Sequence, residues 1–196
     1  MKNIITVSRE FGSGGRSIAK AVAEALGYAY YDKELIEELA KQSGLSREFI
    51  EKSAEYAPGA SKFSYAFVGR TLNGMSVEDY LWKEQRELIR KLAEKGKCVI
   101  VGRCADYILR DRADCLHAFI HADMEKRMER VVKLYGETDE NPKKRLTDKD
   151  KKRKINYKYY TDGQWGASAN YHISLDSGEI GIERCADILC RLAKEL

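Results

Sequence analysis

The sequence predicts an α/β fold in which a parallel sheet of five strands is flanked by helices. Short apolar segments alternate with longer segments whose apolar residues recur every three or four positions, as in amphipathic helices. The first strand pattern is followed by a helix and then by a second strand pattern, which is the order of a parallel βαβ unit. Cys98–Val101 is a continuous apolar run, typical of a central strand covered on both faces.

Start and stop signals frame the predicted elements. The first helix, Gly15–Leu26, has apolar residues at a spacing of four and ends at Gly27. We expect Asp32 to cap a second helix that Gly44 ends, Ser46 to cap the next one, and Ser76 to cap a long helix that runs to Glu94. The predicted strands cover residues 1–7, 28–31, 98–101, 116–121 and 171–175, and a closing amphipathic helix covers residues 182–196.

Composition indicates one domain and excludes several classes of protein. The chain has 196 residues, of which 43% are hydrophobic and 34% charged, and its net charge is +4 with both signs abundant. This balance gives no reason to expect a nucleic-acid partner. The five cysteines form no C-x-x-C pair, which favours reduced thiols and a cytoplasmic location. We expect no signal peptide, no membrane-spanning segment, and a monomer or weak homo-oligomer.

The segment between the first strand and the first helix is rich in glycine. Glycines tolerate left-handed dihedrals that point successive N–H groups into one concavity, and the helix N-terminus adds further donors. This order of strand, glycine loop and helix predicts a phosphate site. We expect Arg16 to meet the phosphates and the Ser17 hydroxyl to bind Mg²⁺. The predicted site comprises Gly12, Ser13, Gly14, Gly15, Arg16 and Ser17.

The glycine segment fits the phosphate-loop pattern G-x-x-x-x-G-K-[ST] in two registers. In the first register, Arg16 replaces the lysine and Glu10 stands where the first glycine belongs. In the second, residues 12–14 align with the G-S-G of small kinases, so Gly15 falls on the lysine. The arginine guanidinium is planar and carries several donors, whereas the lysine ammonium is a compact charge. The two cations therefore do not bind phosphate in the same way. The sequence leaves the register open.

Two other strand ends carry cationic side chains. Arg103 follows the third predicted strand, and Asp123 follows the fourth and should cap a helix that carries Arg127 and Arg130. A basic segment, residues 143–154, precedes the last strand and could fold over the same edge. Phosphoryl transfer needs cations and N–H groups around the phosphate oxygens and a lid that excludes water. The pattern therefore predicts a kinase acting at the carboxyl edge of the sheet.

The chain divides into a core and two smaller segments in this interpretation. Residues 33–75 read as a mostly helical, mobile substrate-binding insertion over the sheet, and residues 136–154 as a lid. The core comprises residues 1–32, 76–135 and 155–196.

The sequence resembles the cytidylate kinase-like family, relatives of the bacterial CMP kinases among the P-loop nucleoside monophosphate kinases. The resemblance covers nearly the whole chain. It implies the P-loop kinase fold, with a helical insertion that binds the monophosphate and a lid, and it implies ATP and Mg²⁺. The motifs that carry it are S-R-E-F-G-S-G-G-R at 8–16, Y-Y-D-K-E-L at 30–35, V-G-R-C-A-D at 101–106, and D-K-K-R at 150–153 followed by aromatic residues.

The resemblance also implies roles for individual residues. Asp32 matches an aspartate near the cytosine, and Arg103 matches an arginine that holds the acceptor phosphate. Asp150 and Arg153 resemble the lid motif D-x-x-R, whose arginine bridges the phosphates. Arg127 and Arg130 look like the arginines that enter the lid, with Arg130 on the ATP side. The expected catalytic residues are Arg16, Arg103, Arg127 and Arg153, and the expected acceptor-binding residues are Asp32, Arg103, Asp150 and Arg153.

Direct, in-line transfer from ATP to CMP or dCMP is the leading functional hypothesis. An alternative is a nucleotide-binding regulatory module that has lost catalysis, which the altered phosphate loop suggests. A kinase of a non-nucleotide acceptor on the same scaffold is a third reading. A GTPase is disfavoured because the sequence has no N-K-x-D guanine motif, and residues 147–150 lack its asparagine.

Overall fold

The computed structural model describes residues 1–48, 50, 76–136 and 141–196. All pairings in its five-stranded sheet are parallel, in the order β2-β3-β1-β4-β5, so that β1 is central. The predicted α/β fold with a parallel five-stranded sheet is confirmed. The strands are β1 (Ile4–Arg9), β2 (Ala29–Tyr31), β3 (Cys98–Val101), β4 (Cys115–His121) and β5 (Ile173–Asp176).

Most helices begin and end at the signals found in the sequence. Gly27 and Gly44 end their helices in the left-handed conformation. The Ser76 hydroxyl accepts a hydrogen bond from the backbone N–H of Asp79, as a cap does. The helices are α1 (Gly15–Leu26), α2 (Glu34–Ser43), α3 (Val77–Glu94), α4 (Ala105–Ile108), α5 (Met124–Tyr135), α6 (Pro142–Thr161), α7 (Ser177–Ile180) and α8 (Ile182–Glu195), with a 3₁₀ turn at Ser168–Asn170.

The core lies on both faces of the sheet because successive side chains of a strand point to opposite sides. Ile5 and Val7 of β1 pack with apolar residues of α1 and α8. Ile4 of the same strand packs on the other face with Leu88 and Ile89 of α3. These layers fix the carboxyl ends of the strands at one edge. Within the described ranges, no helix combines the length and the apolar character needed to cross a membrane.

The prediction that Asp32 caps α2 is wrong. Lys33 occupies the cap position, and its side chain makes no capping hydrogen bond. The Asp32 carboxylate instead faces α1, where Arg16 Nε lies 2.8 Å from Asp32 Oδ2 and Arg16 Nη2 donates to Asp32 Oδ1 at 3.3 Å. A charge-assisted pair with two contacts is stronger than a hydrogen bond to a neutral backbone N–H, so the carboxylate turns to the arginine.

The two predicted accessory segments are only partly described. The part of the predicted insertion that is described begins with α2, whereas residues 49 and 51–75 lie outside the described residues. Residues 137–140 of the predicted lid also lie outside them. The rest of that lid starts α6, where the Asn141 side chain accepts from Lys143 N at 2.9 Å and Pro142 opens the helix. The division into core, insertion and lid stays a prediction.

His117 on β4 is buried beside a second histidine. Thr6 Oγ1 and His117 Nδ1 lie 2.8 Å apart, and the ring stacks on His172 with 4.9 Å between centroids. Burial, followed by the charge of His172, lowers the pKa of His117 from 6.5 to about 4. Between these pH values His117 binds a proton in the unfolded chain but not in the folded protein. Stability is therefore lost as the pH falls from 6.5 to 4.

We expect His117 to make the free energy of unfolding fall by about 3 kcal/mol across that interval. Urea unfolding at several pH values measures the slope, which should be shallower in His117→Asn. Gln42→Ala removes an exposed, uncharged side chain of α2 and is the control, since it should keep the wild-type slope. Equal slopes in all three proteins would contradict the assignment.

Candidate active site

The candidate site lies at the carboxyl edge of the sheet. The glycine segment follows β1, Gly102 and Arg103 follow β3, and Asp123 follows β4 as the cap of α5. Parallel α/β sheets bind ligands outside these strand ends, because the connecting loops and helix N-termini converge there. The predicted site residues therefore come from segments that the sheet brings to one edge.

The glycine segment forms a tight loop between β1 and α1. Gly12 and Gly14 both have a φ of 80°, and Gly14 caps the helix that begins at Gly15. A Cβ on Gly12 would lie 2.9 Å from the carbonyl oxygen of Arg127, and one on Gly14 would overlap Ile182. Both conformation and space thus require glycine at these positions. Ser13 is buried, and its hydroxyl donates to the carbonyl of Glu10 at 3.0 Å.

A buried ion pair fixes the loop from outside. Arg127 Nη1 donates to Asp150 Oδ2 at 2.6 Å and to the carbonyl of Phe11 at 3.2 Å. Asp150 Oδ1 accepts a hydrogen bond from the backbone N–H of Phe11 at 2.7 Å. The pair therefore satisfies both backbone groups of Phe11 and ties α5, α6 and the loop together. Asp150, predicted in the lid, lies against the phosphate loop.

Two further predicted arginines reach the same loop. Arg130 Nη1 donates to the carbonyl of Gly12 at 3.2 Å. Arg153, one turn after Asp150 on α6, donates from Nη1 to the carbonyl of Arg9 at 3.0 Å. The structure thus brings Arg127, Arg130 and Arg153 together around the loop, as the sequence pattern predicted they would be at the sheet edge.

Arg16 and Ser17 lie in the first turn of α1 and face different surroundings. Arg16, predicted to meet the phosphates, is held by Asp32 in the pair described above. Ser17 is exposed on the next position of the helix. Its hydroxyl is accessible to Mg²⁺, which takes oxygen ligands and usually keeps several waters. The exposed hydroxyl beside a glycine cradle fits the predicted metal role.

The turn after β3 has an unusual backbone. Gly102, Arg103 and Cys104 have consecutive φ values of 71°, 58° and 53°. Such a conformation costs of order 1–3 kcal/mol at each non-glycine residue and is concentrated at functional sites. Gln85 Nε2 supports the turn by donating to the Arg103 carbonyl at 3.1 Å. Arg103 lines the pocket described next.

A pocket opens beside the glycine loop, between α2, α3, α6 and the turn after β3. Trp82 of α3 and Tyr160 of α6 stack in its wall, with 4.3 Å between ring centroids. Positive charge and a flat aromatic wall suit an anionic ligand that carries a ring. The basic residues of the described lining are Arg9, Arg16, Arg103, Lys149, Lys152 and Arg153, and its carboxylates are Asp32 and Glu78.

Sequence reasoning missed several residues of this lining. Trp82 and Gln85 lie on α3 among its buried leucines, and neither was predicted to belong to the site. Hydrophobic periodicity could not predict the direction of the Arg9 side chain, although Arg9 stands directly before the glycine segment. A polar glutamine within an apolar helix face was the one signal that could have pointed to the pocket.

A buried carboxylate connects the end of β1 with α4 and α6. Ser8 Oγ donates to Asp106 Oδ1 at 3.1 Å, and the Tyr157 hydroxyl donates to Asp106 Oδ2 at 2.7 Å. Burial raises the pKa of Asp106, and these two hydrogen bonds oppose the rise. The network holds α6 against the strand that precedes the glycine loop.

Tyr157→Phe should destabilise the protein by about 2 kcal/mol at pH 8, because a buried carboxylate loses a donor. The folded pKa of Asp106 should rise further, so stability falls with increasing pH over a wider interval. The deficit should therefore shrink at pH 5. Urea unfolding at both pH values measures it. Tyr159→Phe, with a half-exposed ring on the same helix, is the control, and an equal loss in both variants would contradict the network.

Comparison with solved structures identifies the class of fold to which this chain belongs. The shikimate kinase of Acinetobacter baumannii superposes with a TM-score of 0.56 at 14% sequence identity, covering 100% of this chain and 96% of that one. A crystal structure of a protein from Eubacterium ventriosum gives a TM-score of 0.75 at 28% identity, covering 98% and 99% of the two chains. The fold is that of the P-loop kinases.

The chain belongs to the cytidylate kinase-like family, whose model matches residues 4–179. It is similar to the cytidylate kinase of Archaeoglobus fulgidus, with 28% identity over 193 residues that cover 95% of this chain and 92% of the relative. The predicted family resemblance is confirmed. The class is that of nucleoside monophosphate kinase-like phosphotransferases.

Proposed function

We propose that this protein transfers the γ-phosphoryl group of ATP to CMP or dCMP. The observation that carries the proposal is the pocket of six basic side chains that adjoins the glycine loop. The cytidylate kinases among its relatives, at 24–28% identity, favour a cytosine nucleotide as acceptor. The proposed location of the protein is the cytoplasm, in agreement with its five free cysteines.

The glycine loop would hold the ATP phosphates. Its geometry favours backbone N–H groups as donors, and the N-terminus of α1 adds a positive dipole end. Arg130, which contacts the Gly12 carbonyl, lies on the α5 side of this loop. Ser17 would hold Mg²⁺, which shields phosphate charge and orients the phosphates when bound.

The pocket would hold the acceptor nucleotide. Arg103, presented by the strained turn after β3, supplies the guanidinium for the acceptor phosphate. The stacked Trp82 and Tyr160 offer an aromatic wall for the base. Asp32 retains its proposed role near the base, oriented by Arg16 at 2.8 Å.

The reaction would need positioning and charge rather than a strong base. The acceptor phosphate already carries a nucleophilic oxygen, so no hydroxyl proton has to be removed first. Arg153 belongs to the pocket lining and is anchored to the Arg9 carbonyl beside the glycine loop, and it would stabilise charge on the migrating group. The transfer would be direct and in line.

A coupled assay that detects ADP tests the proposal with CMP, dCMP, UMP, AMP and GMP as acceptors. The highest kcat/KM is expected for CMP or dCMP, with a strict requirement for Mg²⁺. Preference for another monophosphate would contradict the acceptor, and turnover of shikimate or gluconate would favour a non-nucleotide acceptor. ATP binding without turnover of any acceptor would support the regulatory module instead.

A further inference from the structure

Two glycines leave the space that the Arg9 side chain occupies. Arg9 is the last residue of β1, and its Cβ and Cγ lie where a side chain on Gly15 would begin. A Cβ on Gly15 would be 2.5 Å from Arg9 Cβ and 2.9 Å from Arg9 Cγ. The guanidinium then passes Gly102, where an added Cβ would overlap Arg9 Nη1. Arg9 therefore crosses the start of α1 and ends beside the turn after β3.

This path explains the altered phosphate-loop pattern. When Gly14 is taken as the second glycine of G-x-x-x-x-G-K-[ST], Arg9 stands at the first glycine and Gly15 at the lysine. Relative to the pattern, the cation and the glycine have changed places between positions 9 and 15. A lysine at 15 could not coexist with Arg9 in this conformation, because its Cβ would collide with the arginine stem.

The Arg9 guanidinium has a weak counter-charge. Its side chain is 14% exposed, and its ion pair with Asp32 is long, with 3.8 Å between Nη2 and Oδ1, while the same carboxylate binds Arg16 at 2.8 Å. Among the described residues, its buried Nε has no hydrogen-bond partner. Burial and the charges of Arg153, Arg16 and Arg103 lower its pKa to about 9, against the opposing effect of Asp32. An anion bound beside the guanidinium would compensate its charge.

We propose that Arg9 is the cation that contacts the β- and γ-phosphates of the bound triphosphate, in place of the lysine of the ordinary motif. The inference rests on the proposed ATP-dependent function and refines its site. The register with Gly15 at the lysine position follows from it, and in that register Arg16 rather than Ser17 occupies the Ser/Thr position of the motif. The proposed Mg²⁺ role of Ser17 then rests on its exposed hydroxyl and not on the motif. Arg16, held by Asp32, then serves the acceptor side.

The reciprocal exchange can be tested with inorganic tripolyphosphate, whose binding is measured by calorimetry. Arg9→Gly should weaken binding about 30-fold, because a charge-assisted contact is lost. Gly15→Lys alone should also bind poorly, since the new stem collides with Arg9. The double variant Arg9→Gly/Gly15→Lys restores the ordinary pattern and should recover to within about fivefold of wild type. Lys20→Ala, on the exposed face of α1, is the control.

Two further variants distinguish a loss of phosphate binding from a loss of folding. Arg9→Met keeps the volume of the stem and removes a poorly compensated buried charge, so its Tm without ligand should equal or exceed that of wild type. Added tripolyphosphate should raise the Tm of wild type but not of Arg9→Met. Gly102→Ala displaces the guanidinium without removing the charge and should weaken binding about tenfold. Wild-type binding in Arg9→Gly, or no recovery in the double variant, would overturn the proposal.

The experiment separates this inference from the proposed function. Tripolyphosphate binding requires neither an acceptor nor turnover. If the expected pattern of binding appears while no monophosphate is phosphorylated, Arg9 is the phosphate cation and the kinase function fails. If wild type phosphorylates CMP and Arg9→Gly keeps its full kcat and tripolyphosphate affinity, the function stands and the assignment of Arg9 fails.

Discussion

Arg127→Met should destabilise the protein by about 3–5 kcal/mol, the usual result of removing one partner from a buried ion pair. The side chains of Arg127 and Asp150 are only 6% and 11% exposed. Without Arg127, the Asp150 carboxylate keeps the longer contact with Arg153 Nη1 at 3.6 Å in a site that water barely reaches, and Glu10 Oε2 loses a cation that lies 3.5 Å away. The loss of the Phe11 anchor should also loosen the glycine loop and reduce nucleotide affinity.

Urea unfolding of Arg127→Met, Asp150→Asn and the double variant measures the coupling between the two charges. The double variant should be more stable than the sum of the single losses predicts, because it leaves no unpaired charge between these two positions. Lys20→Met breaks the exposed pair with Glu24 on α1 and should leave the unfolding midpoint unchanged. Strictly additive losses at positions 127 and 150 would refute the coupling.

Arg103→Ala should lower kcat/KM for the acceptor by about 10³, because a guanidinium fork makes two charge-assisted contacts with a phosphate. The KM for the acceptor should rise and kcat should fall, whereas the KM for ATP should change little. The substitution leaves the hydrogen bond from Gln85 Nε2 to the turn in place, because its acceptor is the backbone carbonyl of residue 103.

Initial rates at varied acceptor and fixed ATP measure the effect, with the acceptor that wild type uses best. Arg103→Lys should recover only part of the loss, because an ammonium cannot form the two-pronged contact. Arg110→Ala is the matched control, as that exposed arginine lies over the ring of Tyr107 at 4.1 Å and outside the pocket lining. Unchanged kinetics in Arg103→Ala would remove this residue from the site.

The sequence predicted the architecture well where the signals are local. A run such as Cys98–Val101 has no polar side to expose, so it fits a buried strand, and glycines such as Gly27 mark helix ends by their backbone freedom. The predicted positions of Arg103 and Arg127 also follow from local order, because each comes soon after a strand whose end lies at the common edge.

The contacts that the sequence did not predict depend on distant partners. The local sequence predicts Asp32 as a helix cap, but Arg16, one helix and one strand earlier in the chain, binds its carboxylate instead. Helix α6 has almost no apolar stripe, since Leu146, Asp150 and Tyr157 are its buried residues and one of them is charged. Its contact with the loop is made through a carboxylate, which hydrophobic periodicity cannot register.

The steric exclusion between positions 9 and 15 also constrains how such chains can diverge. In this backbone a Cβ at position 15 would lie 2.5 Å from Arg9 Cβ, so a side chain at one position requires glycine at the other. A stepwise conversion of this chain to the ordinary motif therefore has to replace Arg9 by glycine before lysine can be introduced at position 15.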